Sequence, residues 1–215
     1  MPITFFKIKA LLESRHPVSY DLIQYLLKKD LLLNSKHTLV PGYEEAPIFF
    51  EPTYKRHSNT GRFKLEKIRM GFPAKGRLPG YTDRIFIKTK IPIHKFLYDS
   101  IPMKGNDHYP VFYACELSSL KIGVITWNIG HGKPEHLSPD NLRIHFGRFG
   151  TDVDVLIIGF QEASIHTEPN VEIWDGIYDS YLKMHGFNMK ALLGHIAGFG
   201  IETCILWNKN VLDVN

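Results

Sequence analysis

The chain has 215 residues, of which 44% are hydrophobic and 22% are charged. This composition is typical of globular domains and excludes an intrinsically disordered chain. No apolar run approaches the roughly 18 residues that a membrane-spanning helix needs. The first residues also lack the basic head and apolar stretch of a signal peptide. Only Cys115 and Cys204 are present, too few for a disulfide scaffold, so we expect a protein of the reducing cytoplasm.

The charge is distributed unevenly along the chain. The net charge is +4, but residues 1–120 hold 19 Lys and Arg against 11 acidic residues, and residues 121–215 hold 7 against 11. Eleven of the basic residues lie within 51–90, with three acidic ones. Such a cluster predicts a phosphate-bearing partner, which can be nucleic acid, an anionic membrane surface or a small phosphorylated substrate. The alternative is a solvated loop whose lysines only keep the protein soluble.

The hydrophobic pattern predicts one helix followed by strands. Apolar residues recur at helical spacing over residues 20–31. The stretch from Pro52 to Pro79 is rich in glycine and proline and is predicted to be a loop. Strands are predicted at 84–88, 111–117, 120–127, 153–160 and 201–207. The second and third of them are separated only by Ser118 and Ser119 and could form a hairpin, with its turn type left open.

Polar residues end two of the predicted strands. Asn128 follows one strand, and Gln161 and Glu162 follow another. Together they could bring an amide and a carboxylate to one edge of a sheet. Mg²⁺ prefers oxygen ligands and commonly takes only one or two carboxylates from a protein. The alternative is a solvated glutamate at the end of a strand.

Two other segments carry candidate functional residues. Asp107 and His108 immediately precede the strand at 111–117, and an aspartate can set the tautomer of an imidazole that contacts a phosphoryl oxygen. The same residues could also form an ordinary turn. In the basic region, four side chains could converge on phosphate groups: Lys55, Lys75, Arg77 and Arg84.

These segments together resemble the inositol polyphosphate 5-phosphatases, a magnesium-dependent branch of the deoxyribonuclease I-like superfamily. Trp127-Asn128 with Gly130 and Pro134 resembles the family's W-N-x-G segment, and Phe160-Gln161-Glu162 resembles its Q-E segment. Residues 52–55 are identical to its P-T-Y-K loop. Residues 77–85 resemble R-x-P-x-W-x-D-R-I, with Tyr81 for Trp, and residues 106–111 resemble S-D-H-x-P-V, with Asn106 for Ser.

The resemblance implies an α/β (α+β) fold, a four-layer α/β/β/α sandwich that is here incomplete and rearranged. It also implies hydrolysis of the 5-phosphate of an inositol ring. Mg²⁺ would be bound by Glu162, with Asn128 in or beside its coordination sphere. Asp107 or Asp83 would orient an imidazole or a water, and His108 would contact the scissile phosphate. The ring phosphates would be held by Tyr54, Lys55 and Arg84, helped by Lys75 and Arg77.

The order of the segments differs from that in the family. Residues 1–117 resemble the family's carboxy-terminal block and residues 120–215 its amino-terminal block; we expect them to pack as one domain. The family's middle, with its G-D-L-N-Y-R segment, has no counterpart in the sequence. Either the chain is a circular permutant, or it is a tandem-domain junction or truncated product whose missing strands come from a second chain or domain.

Three functions follow from the resemblance. The first is a magnesium-dependent 5-phosphatase that acts on inositol polyphosphates or phosphoinositides. Such an enzyme could contact anionic membranes as a peripheral protein. The second is a catalytically inactive phosphoinositide-binding fragment. The third is a nucleic-acid endonuclease of the same superfamily, against which the P-T-Y-K loop argues, so we expect no nucleic-acid partner.

Overall fold

The computed structural model describes residues 12, 18–64, 79–130, 153–163, 176, 178–180, 182–183, 186–196 and 200–210. Its elements in chain order are two helices, α1 (Tyr20–Leu27) and α2 (Leu31–Leu39), and six strands: β1 (Ile93–Ser100), β2 (Val111–Leu117), β3 (Leu120–Asn128), β4 (Val155–Gln161), β5 (Met189–Ile196) and β6 (Ile201–Trp207). Within the described residues, no helix is long and apolar enough to span a membrane.

All six strands form one mixed sheet in the order β1-β2-β3-β4-β6-β5. The central pair β3 and β4 is parallel, and the other neighbours are antiparallel. This is an α/β fold, as predicted. The described residues contain this one sheet. The predicted sandwich needs a second sheet, and that part of the prediction lies outside the described residues. Strands from both halves of the chain are therefore neighbours in one sheet.

Strand β2 is buried on both faces of the sheet. Alternate residues of β2 enter two hydrophobic clusters: Phe112 and Ala114 pack with the central strands on one face, while Val111 and Tyr113 pack with α1 on the other. This explains why β2 is apolar along most of its length instead of alternating. The amphipathic helix α1 covers the second face with its apolar residues Leu22, Ile23, Leu26 and Leu27.

The predicted helix over 20–31 is wrong in its extent. Ser19 caps α1 through a hydrogen bond from the Leu22 amide, and the helix ends at Leu27. The Asp30 carboxylate then accepts a hydrogen bond from the Leu33 amide at 2.6 Å and begins α2. Aspartate is preferred at helix starts because its carboxylate accepts a hydrogen bond from a free backbone amide. Two helices therefore replace the single predicted one, although the apolar spacing continues from the first into the second.

Four predicted strands are confirmed, namely those at 111–117, 120–127, 153–160 and 201–207, each within two residues at either end. The hairpin is confirmed too, because Leu117 pairs with Leu120 across Ser118 and Ser119. The strand predicted at 84–88 is wrong, since its backbone makes only an isolated bridge between Ile87 and Glu44.

The two unpredicted strands, β1 and β5, are the edges of the sheet. Each has a register shift, between Lys95 and Leu97 in β1 and between Leu192 and Gly194 in β5. A bulge interrupts the period-two pattern, and polar or charged residues interrupt the apolar run in both strands: His94, Lys95 and Asp99 in β1, and Lys190 and His195 in β5. Both features remove the signal on which strand prediction depends.

Candidate active site

The site lies at the edge of the sheet where the parallel strands β3 and β4 end. Asn128 and Gln161 are register partners at these carboxyl ends, so Glu162 follows directly beside Asn128. The Asn128 side-chain amide donates a hydrogen bond to Glu162 Oε1 at 2.9 Å, and its oxygen accepts one from the Gly130 amide at 2.9 Å. Glu162 has a φ of 54°, a conformation that costs energy for residues other than glycine and is found most often at functional sites.

The segment leading into β2 reaches the same edge, because β2 runs antiparallel to β3. The Asn106 side chain donates to the Asn128 carbonyl at 2.9 Å and accepts from the His108 amide at 3.0 Å. A Cβ on Gly130 would lie only 3.3 Å from Asn106 Oδ1, so the two segments approach closely. Asn106 thus links the predicted metal pair to the predicted histidine. The sequence identified it only as a substitution for serine, and no signal in a single sequence shows this bridging role.

His108 is held by a buried carboxylate. Its Nδ1 lies 2.9 Å and 3.1 Å from the two oxygens of Asp83, which is only 4% exposed. Asp83 also accepts hydrogen bonds from the hydroxyls of Thr53 at 2.7 Å and Thr82 at 2.9 Å. An ionised carboxylate in this position accepts a hydrogen bond from the Nδ1–H group, which leaves Nε2 as the hydrogen-bond acceptor of the neutral ring. Of the two aspartates named from the sequence, Asp83 is therefore the one that orients the imidazole.

The other aspartate, Asp107, faces the basic loop. Its Oδ2 lies 3.6 Å from Lys55 Nζ, and both side chains are partly exposed. The Tyr54 ring packs on the His108 ring with centroids 4.3 Å apart. Tyr54 and Lys55 therefore lie beside the Asp83-His108 pair. Through Asn106, the structure brings together seven of the residues named from the sequence: Tyr54, Lys55, Asp83, Asp107, His108, Asn128 and Glu162.

The loop that carries Tyr54 and Lys55 is held in place by Arg56, which the sequence analysis did not single out. Its guanidinium is fully buried, donates to the carbonyls of Pro52 and Gly61 and pairs with Glu51 at 3.0 Å. It also lies between the rings of Phe63 and Tyr109, 3.7 Å and 4.2 Å from their centroids. Burial lowers the pKa of Arg56 from its usual value, and Glu51 opposes that effect.

Arg56 also connects the loop to the histidine segment through its backbone. Its amide donates to the Asp107 carbonyl at 2.8 Å, and the Tyr109 amide donates to the Thr53 carbonyl at 3.0 Å. The loop and the segment therefore run side by side as hydrogen-bonded backbones. This arrangement fixes Tyr54 and Lys55 against Asp107 and His108.

Arg84, which the resemblance assigned to phosphate binding, is bound to two carboxylates in the structure. Its side chain is 3% exposed and forms ion pairs with Asp30 at 2.8 Å and with Glu45. These carboxylates hold the pKa of Arg84 above its usual value, although burial alone would lower it. These two carboxylates would compete with a ligand phosphate for the guanidinium. Lys75 and Arg77 lie outside the described residues.

The donor set fits a hard divalent cation held by few protein ligands. Glu162 supplies a carboxylate steadied by Asn128, and Mg²⁺ commonly takes one or two carboxylates and completes its shell with water and substrate oxygens. In the described ranges, no three His, Cys, Asp or Glu side chains cluster as a ready-made metal cage. Glu162 and Asn128 are therefore the residues that would hold Mg²⁺.

The comparisons agree with the class of protein that this fold and site define. The profile of Endonuclease/Exonuclease/phosphatase family 2 matches residues 8–114. The chain is therefore similar, over about half its length, to the endonuclease/exonuclease/phosphatase superfamily.

Its similar relatives are named as 5-phosphatases. They include inositol-1,4,5-trisphosphate 5-phosphatase 1 of Schizosaccharomyces pombe, 30% identical over 46% of this chain and 9% of the relative. Phosphatidylinositol polyphosphate 5-phosphatase type IV of Rattus norvegicus is 30% identical over 63% of this chain and 18% of its own length. Type IV inositol polyphosphate 5-phosphatase 11 of Arabidopsis thaliana is 34% identical over 46% of this chain and 30% of its own. The matches therefore span less than a third of each of these relatives.

Proposed function

We propose that this chain is a magnesium-dependent phosphomonoesterase that removes the 5-phosphate from inositol polyphosphates or phosphoinositides. One observation carries the proposal: the Asp83-His108 pair and the Asn128-Glu162 pair meet at one sheet edge, joined by Asn106. The names of the relatives support the choice of substrate. Tyr54 and Lys55 lie beside the histidine, where they can hold phosphates of the inositol ring.

The roles of the residues follow from their contacts. Glu162 would hold Mg²⁺ with Asn128 supporting it, and the ion would supply electrostatic stabilisation of the phosphoryl oxygens. His108, with Nδ1 bound to Asp83, presents Nε2 to the scissile phosphate. Water attacks phosphorus in line, so that the new P–O bond forms as the bond to the ring oxygen breaks. Lys55 and Tyr54 hold the ring, and Asp107 fixes the Lys55 ammonium.

We expect slow turnover. The sequence contains no segment like G-D-L-N-Y-R. In the 5-phosphatases that the sequence resembles, this segment positions the attacking water. Loss of one member of a catalytic unit commonly removes several orders of magnitude in rate. The sheet edges at β1 and β5 are where strands from another domain or chain could add to the fold.

The test is phosphate release from inositol 1,4,5-trisphosphate with and without Mg²⁺. The matched variants are Glu162→Gln, which removes one charge from the site, and Glu44→Gln, which removes one from an exposed loop. We expect slow, magnesium-dependent release that Glu162→Gln abolishes and Glu44→Gln preserves. Release that is unaffected by Glu162→Gln would contradict the proposal.

The second candidate is a phosphoinositide-binding protein without turnover. It is favoured by the single carboxylate at the Asn128 amide, together with the basic residues around Lys55. Binding of the trisphosphate without any release of phosphate would select this function. In either case we propose a cytoplasmic protein that contacts anionic membranes peripherally.

A further inference from the structure

The backbone of Glu162, the residue proposed to hold Mg²⁺, is fixed on both sides. On its amino-terminal side, the Gln161 carbonyl accepts a hydrogen bond from the Ile129 amide at 2.9 Å, which extends the pairing of β3 with β4. On its carboxy-terminal side, the Ala163 amide donates to the Gly200 carbonyl at 2.7 Å. The positive φ of Glu162, 54°, therefore lies between two hydrogen-bonded peptides, and these hold the residue in a costly conformation.

The bond to Gly200 departs from the pairing of β4 with β6. Up to Phe160 and Glu202 the two strands pair residue by residue, and the same register would place Glu162 opposite Gly200. The Gly200 carbonyl binds the Ala163 amide instead, so the bond is displaced by one residue, as in a β-bulge. Bulges are common beside active sites, where the extra residue redirects a side chain. Glu162 is the extra residue here, so this contact sets the direction of its carboxylate.

Gly200 packs against the Ala163 peptide so closely that a larger residue does not fit. A Cβ at position 200 would lie 2.7 Å from the Ala163 carbonyl oxygen, 3.0 Å from its nitrogen and 3.2 Å from its carbonyl carbon. These distances are shorter than van der Waals contacts, and backbone atoms cannot rotate away as side chains do. Ala163 is also fully buried. A side chain at position 200 would therefore displace the peptide that follows Glu162.

We propose that Gly200 is a positioning residue for the metal-holding carboxylate. It acts through Ala163, whose peptide it keeps where Glu162 adopts the left-handed conformation. The inference rests on the proposed function and deepens it, because it names a contact that regulates metal affinity at the same site. Partners that orient a metal ligand without touching the metal commonly contribute about 10–100-fold to metal affinity. Gly200 lies directly before β6, outside every motif that the sequence indicates.

The experiment compares two glycines with positive φ in the full chain. Gly200→Ala adds a methyl group against Ala163, whereas the control Gly186→Ala adds one where, among the described residues, only chain neighbours lie within 4 Å. The two φ values, 59° and 70°, are similar, so both variants carry comparable left-handed strain. The electron paramagnetic resonance signal of free Mn²⁺ measures metal binding without turnover. We expect Gly200→Ala to raise the Kd of Mn²⁺ by about tenfold or more, and Gly186→Ala to keep it within about twofold.

The stability of the same samples separates positioning from a merely structural role. Urea denaturation gives the folded fraction of each variant. A loss of stability in Gly200→Ala with an unchanged Kd of Mn²⁺ would overturn the inference. An equal rise of the Kd in both glycine variants would also overturn it, because the left-handed strain and not the contact with Ala163 would then be the cause.

A second measurement needs no variant. If Gly200 positions Glu162, metal binding must in turn stabilise the Ala163–Gly200 hydrogen bond, because the coupling between two sites is reciprocal. Hydrogen exchange of the Ala163 amide should therefore slow by about tenfold or more in saturating Mg²⁺. The control is the Asn188 amide, which donates to the Trp207 carbonyl at the other end of the sheet. Equal slowing of both amides, or no slowing of the Ala163 amide, would overturn the inference.

Failure of the proposed function gives a different pattern. A chain that shows the predicted Mn²⁺ difference but releases no phosphate keeps the positioning role of Gly200 and loses the phosphatase. A chain that releases phosphate, but binds Mn²⁺ as tightly in Gly200→Ala as in the wild type, loses only that role. No binding of Mn²⁺ by the wild-type chain would overturn the inference, whatever the rate of phosphate release.

Discussion

Burial decides which basic side chains near the site are available to a ligand. Arg56 and Arg84 are both buried and both paired with carboxylates, although each lies in a segment with many exposed basic residues. Lys55 remains partly exposed beside His108. All three are basic residues of the region 51–90, and the sequence named Lys55 and Arg84 alike as candidates for phosphate binding. The positions of Glu51, Glu45 and Asp30 separate the two buried arginines from Lys55, the basic residue that we propose binds the ligand.

Substitution of Arg56 tests its role in holding the loop that carries Tyr54 and Lys55. Arg56→Met should lower the free energy of unfolding by about 3 kcal/mol, because it removes the ion pair with Glu51 and the guanidinium's hydrogen bonds to the carbonyls of Pro52 and Gly61. The measurement is urea denaturation. The control Arg62→Met lies in the same basic region but is exposed, and should change stability by no more than about 0.5 kcal/mol. Equal losses of stability in the two variants would contradict this role of Arg56.

The hairpin between β2 and β3 joins the two halves of the chain. Leu117 and Leu120 close it, and Ser118 adopts a φ of 61°. Two-residue hairpin turns need a positive φ at the first central position, which glycine adopts most easily. The hairpin was predictable from two apolar segments with a polar pair between them. Its turn type was not, because serine gives no signal for positive φ.

Glycine substitutions in this turn should have opposite effects. Ser118→Gly removes left-handed strain and should raise the free energy of unfolding by up to about 1 kcal/mol. Ser119 does not have a positive φ, so Ser119→Gly should lower it by about 0.5–1 kcal/mol through the greater freedom of the unfolded chain. Chemical denaturation of the two variants measures both changes. A decrease for Ser118→Gly as large as that for Ser119→Gly would contradict the turn geometry.

At the scale of the whole molecule, the site consists of segments far apart in the chain. The Asp107-His108 segment precedes β2, whereas Asn128 is the last residue of β3 and Glu162 follows β4. Their meeting was predictable because carboxyl ends of parallel strands share an edge and the hairpin brings β2 beside β3. The contributions of Asn106 and Arg56 were not predictable, because they arise from contacts between loops. Sequence patterns describe strands and helices much better than loop contacts.

A second property of the whole molecule is its set of buried tyrosines, which lie on the α1 side of the sheet and near the loop that carries Tyr54 and Lys55. Burial raises the pKa values of Tyr81, Tyr98 and Tyr109, and it raises that of Tyr113 to about 12. In the unfolded chain a tyrosine ionises near pH 10. Above that pH the unfolded state therefore releases protons that the native state retains, and stability falls as pH rises.

The stabilising effect of neutral Tyr113 is thus fully present below about pH 10 and is lost between about pH 10 and its folded pKa of about 12. Tyr113→Phe should make the alkaline fall in unfolding free energy shallower, by up to about 1.4 kcal/mol per pH unit. Urea denaturation of both proteins from pH 7 upwards measures this. Parallel curves for the wild type and the variant would contradict the assigned effect.

The central claim is that Glu162 and His108 belong to one site although their segments are far apart in the chain. The most direct measurement is NMR of the full chain titrated with Mn²⁺, a paramagnetic substitute for Mg²⁺. We expect Mn²⁺ to broaden the imidazole signals of His108 and the side-chain amide signals of Asn128 in the wild type. In Glu162→Gln this broadening should be absent. His108 signals that stay sharp while Asn128 signals broaden, or broadening that persists in Glu162→Gln, would contradict a shared site.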